Sequence, residues 1–72
     1  MEYNFYDHTG LLIASTKTIG NAYLFGRKQD SGSDITIQEV DKINGEYTTI
    51  KLPQFIEAFR KGLKDFRSYP LD

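Results

Sequence analysis

The sequence predicts one small α+β domain, a curled antiparallel sheet of four to five strands closed by one C-terminal amphipathic helix. Three observations predict it. Apolar and polar residues alternate from Asp34 to Leu52, an Asn44-Gly45 pair interrupts that stretch, and a 3-4-7 apolar spacing begins after Pro53. Alternation at period two gives a strand one buried face, whereas 3-4-7 spacing gives a helix one apolar stripe. No repeat, linker or low-complexity tract divides the chain, so residues 1–72 read as a single domain.

The elements follow in order. Glu2 to Tyr6 is rich in aromatic residues and reads as an edge strand, one the first ten residues add to the sheet. Asp7-His8-Thr9-Gly10 is a turn, with Gly10 able to adopt a positive φ. Leu11 to Ile19 is rich in β-branched residues and reads as a strand ending at the Gly20-Asn21 turn. Ala22 to Lys28 reads as a third strand, and Gln29 to Ser33 as a polar loop around Gly32. From Asp34 to Ile43, Ile35 and Ile37 face one side while Thr36 and Gln38 face the other. Asn44-Gly45 then signals a tight type I′ hairpin turn. Glu46 to Leu52 returns, with Ile50 and Leu52 inward and Thr49 and Lys51 outward.

Pro53 suits the first turn of a helix, where its missing N–H costs nothing. The helix is predicted over about residues 53–67, with Phe55, Ile56, Phe59, Leu63 and Phe66 on one stripe. Glu57, Arg60, Lys61, Lys64 and Asp65 take the opposite face, and Glu57 with Lys61 makes an i,i+4 pair. Three phenylalanines are more than a thin sheet covers easily. Gly62 falls inside this helix, where it costs about 1 kcal/mol relative to Ala unless close packing uses its bare backbone. Both features point to a homodimer built on Phe55, Phe59, Leu63 and Phe66; the plainer reading is a sheet-covering helix with a tolerated glycine.

Size and composition set limits. A chain of 72 residues buries only about 60% of the surface its unfolded form exposes, so extra stapling is expected. The absence of cysteine excludes disulfides and thiolate metal sites, which leaves a second chain as the expected staple. The formal charge of −1 gives no global positive field, so any nucleic-acid site must be a local basic patch. The longest uninterrupted apolar run, Leu11 to Ala14, is far below the roughly 20 residues of a membrane span. The start Met1-Glu2-Tyr3-Asn4 is polar and acidic, unlike a signal peptide, so cytoplasmic residence is the expectation.

The chemical inventory is thin. His8 is the single histidine and lies in a turn, where such a residue is usually just solvated. Glu39 and Asp41 share a strand face, the minimum for a two-carboxylate site, but surface acids often have that spacing. Gly26, Gly32 and Gly45 match no phosphate-binding loop. Neither an enzyme, a cofactor nor a metal is expected. Binding features are richer: Lys17, Arg27 and Lys28 are the only charges between Asp7 and Asp30, and tyrosines stand at positions 3, 6, 23, 47 and 69. Cations and flat rings on a sheet suit single-stranded nucleic acid. Composition alone favours the plainer reading, half-buried tyrosines and lysines that guard sheet edges.

Three segments resemble the PUR repeat, the module of the purine-rich-element-binding proteins. Tyr23-Leu24-Phe25-Gly26-Arg27-Lys28-Gln29-Asp30, followed by Gly32, is similar to the repeat's second strand, which ends in Lys-Gln-Asn before a glycine. Ile35-Thr36-Ile37-Gln38-Glu39-Val40 resembles its Leu-x-Ile-x-Glu-Val strand. Phe59-Arg60-Lys61-Gly62-Leu63-Lys64-Asp65-Phe66, with Tyr69 beyond, resembles its helix pattern Phe-Arg-x-x-Leu-x-x-Phe. The resemblance covers about two thirds of the chain, from roughly Ala14 to Tyr69, and its separate pieces are short.

The resemblance implies four antiparallel strands and one helix, a PUR- or whirly-like unit that intertwines with a second copy as a homodimer. It also implies single-stranded DNA or RNA as the partner, held across the sheet and its turns, with Lys28, Gln29 and Asp30 where the Lys-Gln-Asn contacts fall. The expected contact set is Lys17, Arg27 and Lys51 alongside Lys28 for phosphates, Gln29 for base edges or sugar, and Thr36 and Gln38 on the open sheet face. Asp30 replaces the asparagine, and Ser33-Asp34 stands where the family commonly has Arg-Phe, a cation and a stacking ring. Those departures support an alternative: a protein-interaction module or small inhibitor that keeps the fold without nucleic-acid affinity.

Overall fold

Tyr3 and Phe5 alternate with Glu2, Asn4 and Tyr6, and in the computed structural model, which describes residues 1–29, 34–63 and 66, that alternation forms β1 (Glu2–Tyr6). The other strands are β2 (Leu12–Thr16), β3 (Thr36–Asp41) and β4 (Glu46–Lys51). The described sheet has four strands in the order β2-β1-β3-β4, and every pairing is antiparallel. So β1 is interior and not the edge strand its position in the sequence suggests. Phe5 explains this: fully buried, it pairs with Ala14 on one flank and Ile37 on the other. The Asp7–Leu11 turn folds β2 back onto β1. The Asp7 carboxylate accepts hydrogen bonds from the Thr9 and Leu11 amides and the Thr9 hydroxyl, which hold it below its ordinary pKa, the hydroxyl most strongly.

The segment Ala22 to Lys28 is not a strand. Helix α1 (Ile19–Gly26) occupies most of it, so the chain has two helices where the sequence suggests one. Thr18 caps α1 by accepting the Asn21 amide at 3.1 Å. Ile19, Ala22, Tyr23 and Gly26 then fall at 3-4-7 spacing, and all four are buried or half-buried. The second helix, α2 (Leu52–Arg60), packs beside α1 on the sheet face that carries Tyr3, Phe5, Ile37 and Ile50. The described order is therefore β1-β2-α1-β3-β4-α2, not the four successive strands and one helix that the PUR resemblance implies. No described helix is long and apolar enough to cross a membrane.

The last helix is shorter than the predicted 53–67. Gly62 is not a tolerated interior residue but the terminator, with φ +100°. Its amide bonds back to the Phe59 carbonyl and the Leu63 amide to the Ala58 carbonyl, each at 3.0 Å. This pair of bonds is the Schellman arrangement, which takes up the orphan carbonyls of the last turn. Phe66 reaches the core from beyond the helix; it is 1% exposed, its ring 5.8 Å from Tyr3 and 5.4 Å from Phe55. Phe55 is fully buried, and Phe59 stacks on Tyr23 of α1 at 4.4 Å. The apolar stripe that suggested a second chain is thus largely covered by α1, the helix the sequence did not announce.

The last hairpin is wider than a two-residue turn. Asp41 pairs with Glu46, which leaves residues 42–45 in the loop. The Asp41 carboxylate accepts from the Ile43 and Asn44 amides and from Asn44 Nδ2, and so organises the loop itself. Gly45 does adopt a positive φ, +70°. The hairpin's strands end earlier than predicted, at Asp41 and Lys51.

Gly62→Ala distinguishes a terminator from an interior glycine. In a helix interior the change would stabilise by about 1 kcal/mol. At a positive φ it should instead destabilise by about 1–2 kcal/mol, read as a lower urea midpoint. A raised midpoint would show that the helix continues through residue 62.

Candidate functional site

Because side chains alternate along each strand, the helices cover one face of the sheet and leave the other open. One polar residue from every strand lines up across the middle of the open face. The register joins Ser15 to Asn4, Asn4 to Gln38 and Gln38 to Thr49. With strands roughly 4.8 Å apart, the row spans about 14 Å. Ser15 Oγ donates to Asn4 Oδ1 at 2.8 Å, and the Tyr6 hydroxyl donates to Gln38 Oε1 at 3.3 Å. The row is uncharged and built of groups that both donate and accept.

A ring stands on each side of this row. On one side the register joins Tyr6, Thr36 and Lys51; on the other it joins Glu2, Val40 and Tyr47. Tyr47 is 69% exposed and Tyr6 half-buried. Among the described strands and their flanks, Lys17, Lys42 and Lys51 border the face together with Glu2, whose carboxylate meets Lys42 Nζ at 2.8 Å. Lys42 chiefly holds the Glu2 carboxyl below its ordinary pKa, with Asn4 and the charge of Lys17 adding to it. A chain of slightly acidic overall charge therefore carries a locally basic open face.

Four of the seven predicted contacts, Lys17, Thr36, Gln38 and Lys51, belong to this face. Arg27, Lys28 and Gln29 do not: they follow the C-terminus of α1, on the helix-covered side. The expectation for them combines a strand over Ala22 to Lys28 with the PUR resemblance, which sets Lys28 and Gln29 at its end; the strand is instead mostly helix α1. Asp30, Ser33 and Tyr69 lie outside the described residues. Asn4 and Ser15 were missed as members of the face; the alternation of Asn4 with Tyr3 and Phe5 is the signal that would have found it. Among the other tyrosines, Tyr3 is buried in the core and Tyr23 lies between the helices.

The carboxylate pair proves to be structural. Glu39 is only 4% exposed; it accepts from the Tyr3 hydroxyl at 2.8 Å and from the Phe66 amide at 3.2 Å. It thereby ties β3 to the segment beyond α2, while Asp41 holds its own loop. His8 is exposed in the first turn. Among the described residues no group of three or more potential ligands could hold a metal ion.

A concavity lies between the helices. Gly26, Arg27, Gln29, Leu52, Pro53, Ile56, Glu57 and Arg60 line an open groove of about 460 Å³. Its position is set by Gly26, where a methyl group would stand 2.8 Å from Leu52 Cδ1. Comparisons with protein-family models, curated proteins and solved structures return no match.

Glu39→Ala removes an acceptor from two buried donors and should destabilise by about 1–3 kcal/mol. Glu39→Gln, which keeps one acceptor oxygen, should lose less. Equal urea midpoints for the Ala variant and the parent would show that Glu39 holds nothing in place.

Proposed function

We propose that this chain is a binding module for single-stranded DNA or RNA, which it takes across the open face of its sheet as a homodimer. The observation that carries the reading is the face itself: Tyr6 and Tyr47 flank the uncharged row of Ser15, Asn4, Gln38 and Thr49, inside a net-basic border. Exposed rings stack on bases regardless of sequence, for about 1–3 kcal/mol per base. Lysines neutralise phosphates, and amides and hydroxyls can bond to base edges or sugars. The PUR resemblance points the same way, although three of the residues it nominated lie elsewhere.

The dimer is proposed to form at β2, an edge of the sheet. Leu11, Leu12 and Ile13 are 64%, 51% and 40% exposed, and no charge stands between Leu11 and Thr16. The opposite edge, β4, carries Glu46 and Lys51 at its ends, an ordinary protection against pairing. Antiparallel pairing of β2 with its own copy about Ala14 sets Leu12 opposite Thr16 and Ile13 opposite Ser15, with no like charges facing. Such a dimer would continue one open face across eight strands. The same edge favours the second reading, a protein-interaction module that adds a partner's strand and binds no nucleic acid.

Fluorescence anisotropy with single-stranded oligonucleotides at two salt concentrations separates the readings. Tyr47→Ala should weaken binding by about 1–3 kcal/mol with the salt dependence unchanged. Lys51→Ala should lower the slope of log affinity against log salt by about 0.7. No affinity for any single strand at low salt would leave the protein-interaction reading. For the dimer, Ile13→Lys should turn a sedimenting dimer into a folded monomer. A parent chain that is already monomeric at micromolar concentration would remove β2 pairing.

A further inference from the structure

The inter-helical groove has features of a ligand site that neither the fold nor the open face requires. Leu52, Pro53 and Ile56 give its lining an apolar floor-like stretch, and two arginines line it as well, Arg27 at the C-cap of α1 and Arg60 in the last turn of α2. Both arginines converge on Tyr23. Arg60 Nε donates to the Tyr23 hydroxyl at 3.3 Å, and the Arg27 guanidinium lies 5.7 Å from the centre of the same ring. Tyr23 is itself held by its stack on Phe59. Among the described residues neither guanidinium meets a carboxylate, since both ion pairs there use lysines, Lys42 with Glu2 and Lys61 with Glu57. Two like charges brought to one aromatic ring, with no carboxylate partner among the described residues, give a local positive potential and N–H donors for an anion. The Tyr23 phenol responds to it: the hydrogen bond from Arg60 chiefly lowers its pKa, and the charges of Arg60 and Arg27 add to that.

We infer that this groove binds a phosphate monoester carried on a flat apolar group, the phosphate between Arg27 and Arg60 and the apolar group over Leu52, Pro53 and Ile56. Guanidinium suits this anion because its planar fork gives paired N–H bonds to phosphate oxygens. The arrangement selects a monoester with an apolar body over free phosphate, because the floor offers area and no polar partner. Glu57 also lines the groove, and its ion pair with Lys61 at 3.1 Å moderates its repulsion of an anion. Gln29 offers a neutral amide at the same rim. This inference is independent of the open sheet face, which lies on the other side of the molecule.

The test is an amide NMR titration of the whole chain with phenyl phosphate, inorganic phosphate and phenol. Phenyl phosphate should give saturable shifts centred on Arg27, Gln29 and Arg60, with Gln38 and Thr49 of the sheet face unmoved. Inorganic phosphate should bind more weakly, and phenol not measurably. Arg27→Gln and Arg60→Gln should each weaken phenyl phosphate roughly tenfold or more, the loss expected for one charge-assisted contact. Glu57→Gln should tighten it. The bound anion should also raise the pH at which Tyr23 ionises, an effect that a purely structural arginine cluster does not predict. The site would be overturned by an absence of saturable shifts at millimolar phenyl phosphate. Affinity unchanged from the parent's in both arginine variants, with spectra that remain folded, would overturn it too. Shifts centred on the sheet face would transfer the anion to the other site and likewise refute the groove.

Discussion

At Gly26 a Cβ would stand 2.8 Å from the Leu52 Cδ1 methyl, so the bare backbone of α1 lets the first residue of α2 pack closely against it. Phe5 lies under the same point, 3.6 Å from where the methyl carbon would be, so the strand that centres the sheet meets both helices in one place. The arrangement solves the problem of a short chain. A sheet of four short strands offers one apolar face, and the face is closed by one helix from each half of the molecule. Phe25 of α1 meets Phe5 edge-on at 4.7 Å, and Phe55 of α2 meets Phe66, so an aromatic cluster replaces the larger core that the length does not allow.

The two candidate surfaces follow from that closure. Packing both helices on one side leaves the other side of the sheet to solvent, where alternation has placed polar residues and two rings. Gly26 and Leu52, in contact between the helices, also line the groove that Arg27 and Arg60 border, and both arginines reach Tyr23 beside it. The chain's charge is nearly balanced overall, yet among the described residues Glu39 is buried, Asp41 and Asp7 hold turns, and Glu2 and Glu57 are paired with lysines, while Lys17, Lys51, Arg27 and Arg60 have no carboxylate partner. Net charge therefore says little about what either surface attracts.

Several elements were legible in the sequence because they depend on local chemistry. Alternation around Ile37 and Ile50, Pro53 in the first turn of α2, the positive φ of Gly45 and the inward stripe through Phe55 all follow from near neighbours. The first helix was not legible in that way. Tyr23, Leu24 and Phe25 suit a strand as well as a helix, and eight residues are too few for periodicity to decide. The Thr18 cap, the burial of Ala22 in the core and the contact of Gly26 with Leu52 decided it. Missing α1 had two consequences: its C-terminal Arg27, Lys28 and Gln29 were set on the sheet, and the stripe on α2 looked uncovered.

By itself the sequence determined the class, an antiparallel sheet with a C-terminal helix, and which residues face inward on most of its elements, since periodicity and turn chemistry are local. It also determined that disulfides and thiolate metal sites are excluded. Only the tertiary structure decided that β1 is interior to the sheet, that Gly62 ends a helix rather than interrupting one, and that Arg27 and Arg60 both reach Tyr23. Each of these depends on partners distant along the chain: Ala14 and Ile37 flanking Phe5, the Phe66 segment reaching back to Glu39, and Leu52 fitting against a bare backbone at Gly26. Strand order and helix contact are chosen by the best joint burial of such partners, and a local pattern does not specify that choice.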